Sequence, residues 1–176
     1  MKALAAALLV FLAACGEGRV IFNVDVLSFL SASDSVKSFD VLGGIPQTDS
    51  TVSRQFFLPP GFGKSSVDSV TATAAAALVC TGGGGSVRFD VFFAKQQGSL
   101  FTSTPYLTAS SGAVVAGDSV SLLPPTSVSL ADTVFNTDTL WVGIRARIAT
   151  NAGPNMTGRL RLQDLRLRIA LQDKVF

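Results

Sequence analysis

Val67-Asp68-Ser69-Val70-Thr71-Ala72-Thr73-Ala74-Ala75-Ala76-Ala77-Leu78-Val79-Cys80 decides the fold. Val70, Ala72, Ala74, Ala76, Leu78 and Cys80 recur at every second position, with hydroxyl and small residues between them. Period two is the signature of a strand with one buried face. The alanines alone would permit a helix, but their Thr, Val and Cys neighbours favour a strand with small side chains. Such a strand suits a place where two sheets approach closely. Thr81-Gly82-Gly83-Gly84-Gly85 follows, and then a second alternating run, Ser86 to Gln96, with Val87, Phe89, Val91 and Phe93 in one phase and Arg88 and Asp90 in the other. Two such runs around a glycine-rich tip predict a β-hairpin. A phosphate loop would need a helix and a Lys-Ser/Thr pair after the glycines, and a strand follows instead.

The same grammar extends in both directions. Upstream, Val20 to Leu27, Ser38 to Leu42 and Thr51 to Leu58 read as strands, the last stopped by Pro59-Pro60-Gly61. Downstream, Leu100 to Leu107 carries Pro105 and reads as an edge segment. Ala113–Val115 and Ser119–Leu123 flank Ala116-Gly117-Asp118 as a second hairpin. Ser127 to Phe135 and Thr139 to Thr150 follow. In the closing run, Arg159 to Gln172, Leu160 and Leu162 keep one phase while Leu165, Leu167, Ile169 and Leu171 keep the other, which predicts a bulge near Gln163-Asp164. The expectation is an all-β chain: an antiparallel β-sandwich or jelly roll of roughly 8–10 strands.

Composition agrees. There are 11 Asp but one Glu and five Lys among 176 residues, so the strong surface-helix formers are scarce. A net charge of +2 argues against a general nucleic-acid binder. The chain has no histidine, which removes the commonest general base and ordinary zinc sites. Asp34, Asp49, Asp118 and Asp138 read as turn formers. No spacing matches a calcium loop. The expectation is therefore no catalytic residues, no metal ligands and no cofactor.

The chain opens with Lys2 and an apolar run, Ala3 to Ala14, ended by Gly16-Glu17-Gly18-Arg19. A membrane span needs about 20 apolar residues, so this run suits the core of a secretory signal instead. It closes on Leu12-Ala13-Ala14-Cys15, which resembles the lipobox of bacterial envelope lipoproteins. That resemblance implies cleavage before Cys15, a diacylglycerol on its sulfur, and commonly acylation of the new amino group. It implies export and a membrane partner reached through lipid. Residue 16 is Gly, where Asp is the usual inner-membrane retention signal, so the outer membrane or cell surface is favoured. The domain reading is a signal peptide over 1–14, a lipidated stem over 15–18 and one β-sandwich over 19–176. Three extended residues reach at most about 10 Å, so the domain should sit close to the headgroups. With Cys15 lipidated, Cys80 is left unpaired and reads as a buried small hydrophobe, the alternative being a reactive or intermolecular thiol.

Charge is split along the chain. From Thr139 to Phe176 there are seven Lys/Arg and two Asp, a net of +5, while Cys15 to Asp138 carries −4. Trp141, Gly143, Arg145 and Arg147 share one phase of their strand, opposite Val142, Ile144, Ala146 and Ile148. Arg159, Arg161, Arg166 and Arg168 occupy polar positions of the last. Trp141, Arg145 and Arg147 are the candidate ligand or partner face. Three readings stand: a solvated face whose arginines pair with nearby Asp, a glycan or anionic-polymer face, and a protein or lipid-headgroup contact. The segment Gly158-Arg159-Leu160-Arg161-Leu162-Gln163-Asp164-Leu165-Arg166-Leu167 resembles the last strands of jelly-roll carbohydrate-binding modules, although the row of exposed aromatics found on such modules is missing. The functional expectation is a non-catalytic structural or interaction protein of an envelope or surface assembly, which could self-assemble. The alternative is a binding module for glycans or envelope polymers.

Overall fold

The computed structural model describes residues 19–58 and 60–172, the side chains of 60–66 excepted. The leader 1–14 and the stem 15–18, including Cys15, lie outside the described residues.

Ten strands form two antiparallel sheets among the described residues: β1 (Arg19–Asp25), β2 (Val36–Val41), β3 (Thr48–Phe57), β4 (Pro60–Gly82), β5 (Gly84–Ala94), β6 (Leu107–Val115), β7 (Ser119–Leu122), β8 (Ser127–Leu130), β9 (Thr139–Thr150) and β10 (Met156–Gln172). Sheet I runs β1-β10-β4-β7, with β2 continuing the β1 edge along β10 and β8 continuing the β7 edge along β4. Sheet II runs β3-β9-β5-β6. Counting β1/β2 and β7/β8 as one broken strand each leaves eight strands, ordered 1-8-3-6 and 2-7-4-5. This is a jelly roll.

Both expected hairpins are corrected by this order. β4 and β5 lie in different sheets, and so do β6 and β7. Each of these strands has one apolar face, and the two members of a pair meet face to face across the core instead of edge to edge. Gly83, at φ +62, turns the β4–β5 corner with its α-carbon tight against the backbone of Pro154 and Asn155, where a Cβ could not fit. Two further corrections concern lengths. β4 starts at Pro60, earlier than read, and β8 stops at Leu130, before a short 3-10 turn over Thr133–Phe135. Asp49 lies within β3, not in a turn, whereas the Asp118 carboxylate does close a turn by accepting from the Val115 N–H at 2.8 Å.

The alternating set of β4 points inward as expected, and Cys80 is a buried free thiol. The small side chains of Ala72, Ala74 and Ala76 share one core with Phe89, Phe93 and Phe135, so bulk on one side meets little on the other. Ala76 is fully buried. Ala76→Leu should therefore overpack the gap and lower the unfolding free energy by about 1–3 kcal/mol. Urea titration reads this directly; an unchanged midpoint would mean the sheets separate freely there.

β10 carries the expected bulge. Leu162 pairs with Ala76 and Asp164 with Ala75, leaving Gln163 as the extra residue. The shift lets Leu160 and Leu162 on one side of it, and Leu165, Leu167 and Ile169 on the other, all face the core. Beside the bulge, where the chain passes from β1 to β2, Ser31 caps a single helical turn, Ala32–Ser35, by accepting from the Asp34 N–H. Asp34 in turn receives Arg54 of β3 through Nε and Nη2 at 3.0 and 2.6 Å, tying the two sheets together.

Candidate functional site

The two arginine sets noted in the sequence fall on opposite sides of the molecule, because β9 belongs to sheet II and β10 to sheet I. They are distinct surfaces.

On sheet II, Leu140, Val142, Ile144, Ala146 and Ile148 of β9 are buried in the core, and Trp141, Arg145 and Arg147 point to the outer side. Register places Asp90 of β5 beside Arg145, and Arg88 beside Arg147. Asp90 is 0% exposed, the one charged residue among the described residues that is fully buried. Arg147 grips it through Nε at 3.0 Å and Nη2 at 2.6 Å. Arg88 donates through Nε at 2.9 Å, Thr108 donates its hydroxyl, and Arg145 Nη2 stands 3.7 Å away. Burial pushes the Asp90 carboxyl up, but the hydrogen bonds from Thr108, Arg88 and Arg147 outweigh it and hold the group below its ordinary value. Asp90 is thus a fixed anion around which three guanidiniums are arranged.

The stretch read as an edge segment is a cover for this face. Residues 95–106 form a 3-10 turn and loop between β5 and β6, and β6 begins only at Leu107. Leu100 is fully buried with Phe92 and Ala94, and Phe101 and Trp141 pack against them. Gly143 makes the seat: a Cβ there would stand 2.7 Å from a Leu100 methyl and 2.8 Å from the Phe101 ring. Arg145 lies 4.6 Å from the Phe92 ring centroid and donates to the Phe101 carbonyl at 3.4 Å. Trp141 is therefore half-buried under its own chain, and Arg145 and Arg147 are engaged by Asp90. Sequence reasoning overlooked Asp90 and the loop. The available signals were Arg88-x-Asp90 in the outward phase of a strand and the apolar pair Leu100-Phe101 inside a polar stretch.

On sheet I the outer face is open. Arg159, Arg161, Arg166 and Arg168 of β10 are exposed. Beside them β4 presents Ser69, Thr71, Thr73, Ala75, Ala77 and Val79, which are short side chains that leave the guanidiniums standing proud. Arg166 pairs with Asp164 at 2.8 Å. Among the described residues Arg159, Arg161 and Arg168 enter no ion pair. A shallow open depression between β1 and β4 is lined by Asn23, Asp25, Thr71, Thr73, Arg166 and Arg168.

Between the sheets, at one end, Tyr106 donates to Asp132 at 2.5 Å, and Ser129 donates to the same carboxylate at 3.0 Å. Burial, and then the Asp132 carboxylate, raise the Tyr106 phenol well above its usual range. Asp132 also caps the turn at Val134, so its oxygens are used within the fold. Among the described residues, no three His, Cys, Asp or Glu side chains gather as a metal site would require.

This strand order and these two faces define the class: a jelly-roll β-sandwich module presenting one covered and one open outer face. No family model matches the chain, and no curated protein does. Among solved structures it is similar to that of infectious bursal disease virus Gx strain, with a TM-score of 0.49 and 11% identity over 90% of this chain and 33% of that one. The chain thus spans 33% of the length of that viral protein. It is also similar to PirA, with a TM-score of 0.37 and 13% identity over 76% of this chain and 97% of that one. A third likeness is TmCBM61 in complex with beta-1,4-galactotriose, with a TM-score of 0.28 and 10% identity over 87% of this chain and 88% of that one.

Proposed function

We infer that this chain is a lipid-anchored module of the cell envelope that works by contact, without catalysis of its own, as a subunit or accessory of an envelope or surface assembly. The observation that carries this reading is Leu12-Ala13-Ala14-Cys15 after a short apolar leader, ending four residues before β1. β1 pairs with β10 over seven residues, from Arg19↔Gln172 to Asp25↔Arg166, so an anchor at Cys15 would pull on a stitched strand and not on a loose tail. The absence of histidine and the internal use of Asp90, Asp34 and Asp132 support a non-catalytic role. Glycan binding on Trp141 ranks second, because Trp141 is half-buried and packs against the cluster of Phe92, Ala94 and Leu100.

Mass spectrometry of the mature amino terminus tests the anchor: Cys15 should be the first residue and carry a diacylglycerol with one further acyl chain. Cys15→Ser should move the protein from the membrane to the soluble fraction, since stable anchoring takes at least two acyl chains and the variant would carry none. An intact Met1, or full membrane retention of the Ser variant, would sink the reading.

A further inference from the structure

The open face of sheet I can be read as rows across the strands. At the level of Ala170, β1 contributes Ile21, β4 contributes Ser69 and β8 contributes Leu130. One row further along are Asn23, Arg168, Thr71 and Val128, and then Asp25, Arg166 and Thr73. Beyond the bulge come Arg161 between Val36 and Ala77, and Arg159 between Ser38 and Val79. Ile21, Val128 and Leu130 are 48%, 63% and 77% exposed, so apolar side chains stand free on the same face as the arginines. They cluster at the Arg19–Gln172 end, where the chain arrives from Cys15. Four residue steps separate Cys15 from Arg19, so the lipid lies within about 14 Å of the Arg19–Gln172 pair and about 20 Å of the Ile21 row.

Apolar side chains that reach outward, flanked by guanidiniums and set beside an acyl anchor, have the chemistry of an interfacial contact. The hydrocarbon tips enter the headgroup boundary and the arginines meet phosphates. We propose that the outer face of sheet I is a docking surface for anionic lipid headgroups, and that it lays the sandwich flat on the membrane in which Cys15 is anchored, with Leu130, Val128 and Ile21 inserted and Arg166 and Arg168 on phosphates. This rests on the lipid-anchored reading above. The carboxylates on the face, Asp25, Asp40 and Asp164, limit its charge, Asp164 leaves Arg166 only partly free, and at the anchor end Asp68 pairs with Arg19 at 3.4 Å. Contact therefore requires the anchor to hold the face near the bilayer. Arg159 and Arg161 lie roughly 30–45 Å along β10 from the stem and touch headgroups only if the domain lies down, at about 3.3 Å per residue.

The test uses the full acylated protein in vesicles. With Cys15 acylated and Cys80 buried, a cysteine placed by Leu130→Cys is the accessible thiol for an environment-sensitive fluorophore, and Val115→Cys, on the outer side of sheet II, is its control. In phosphatidylcholine vesicles containing one part in three of phosphatidylglycerol, the label at 130 should shift to the blue and be quenched by headgroup-quencher lipids, while the label at 115 should not. Arg166→Gln with Arg168→Gln should shift the docked equilibrium about 25-fold towards the upright state, at roughly fivefold per arginine, without releasing the protein. Silence at 130 in a protein that floats with the vesicles would overturn the proposal. So would equal responses at 130 and 115, or an undiminished response in pure phosphatidylcholine. A response to soluble polyphosphate with none to vesicles would replace lipid by an anionic polymer. Unmodified Cys15 by mass is a separate failure, of the anchor. In that case the docking falls with the anchor it needs, and the mass tells that failure from silence at 130 in an acylated protein.

Discussion

Asp90→Ala should cost about 3–5 kcal/mol of unfolding free energy, because removing one partner of a buried pair leaves uncompensated charge behind. Asp90 is fully buried and is held by Arg147, Arg88 and Thr108 with Arg145 close by, so its loss leaves guanidiniums facing one another across β5 and β9. The damage would spread to the cover loop, since Arg145 also holds the Phe101 carbonyl. Urea unfolding followed by far-UV circular dichroism reads the loss; a change under about 1 kcal/mol would show that the arginines are separately solvated. Asp90→Asn should fall between the two and isolate the charge. Its signature is in pH. The folded carboxyl is held below its ordinary value, so its contribution is present above the unfolded value of about 3.9 and is lost as pH falls through the folded one. Wild-type stability should fall below about pH 4 more steeply than that of Asp90→Asn.

Phe93→Ala should cost a comparable amount, about 3–5 kcal/mol, from lost burial plus the cavity left behind. Phe93 is 1% exposed and packs its ring 5.2 Å from that of Tyr106 and 5.4 Å from that of Phe135, centroid to centroid. These three rings close the end of the sandwich where β5, the cover loop and the 3-10 turn before β9 meet. The variant has a second readout. Tyr106 is the single tyrosine, and burial followed by its bond to Asp132 holds its phenol above the ordinary value. Opening a cavity beside it should bring its titration back towards about 10, seen by ultraviolet absorbance. A full-strength thermal transition with unmoved tyrosine titration would show that the rings close up around the gap.

The alternation in β4, β5, β9 and β10 determined which face of each strand turns to the core, and the structure keeps those phases, while the other face of β5, with Asp90, Phe92 and Ala94, is buried as well beside the cover loop. The shifted parity after Gln163 likewise contained its bulge, because a strand can return its leucines to the core only by one extra residue. These are local facts, written in a period of two. Which strands stand side by side is not local. A run with one apolar face reads the same whether its partner lies beside it in one sheet or across the core in another. The β4–β5 and β6–β7 pairs therefore looked like hairpins, and only the tertiary structure separates them. The site follows the same division. The sequence supplied Trp141, Arg145 and Arg147 on one phase and four arginines on another. Only the fold puts the two sets on opposite sides of the sandwich. There the Asp90 carboxylate and the Leu100–Phe101 cover occupy the first set, through contacts made across strands and from a loop. The second set remains open along β10, whose Gln172 end meets Arg19 where the chain arrives from Cys15, because β1 and β10, the first and last strands, are neighbours in one sheet.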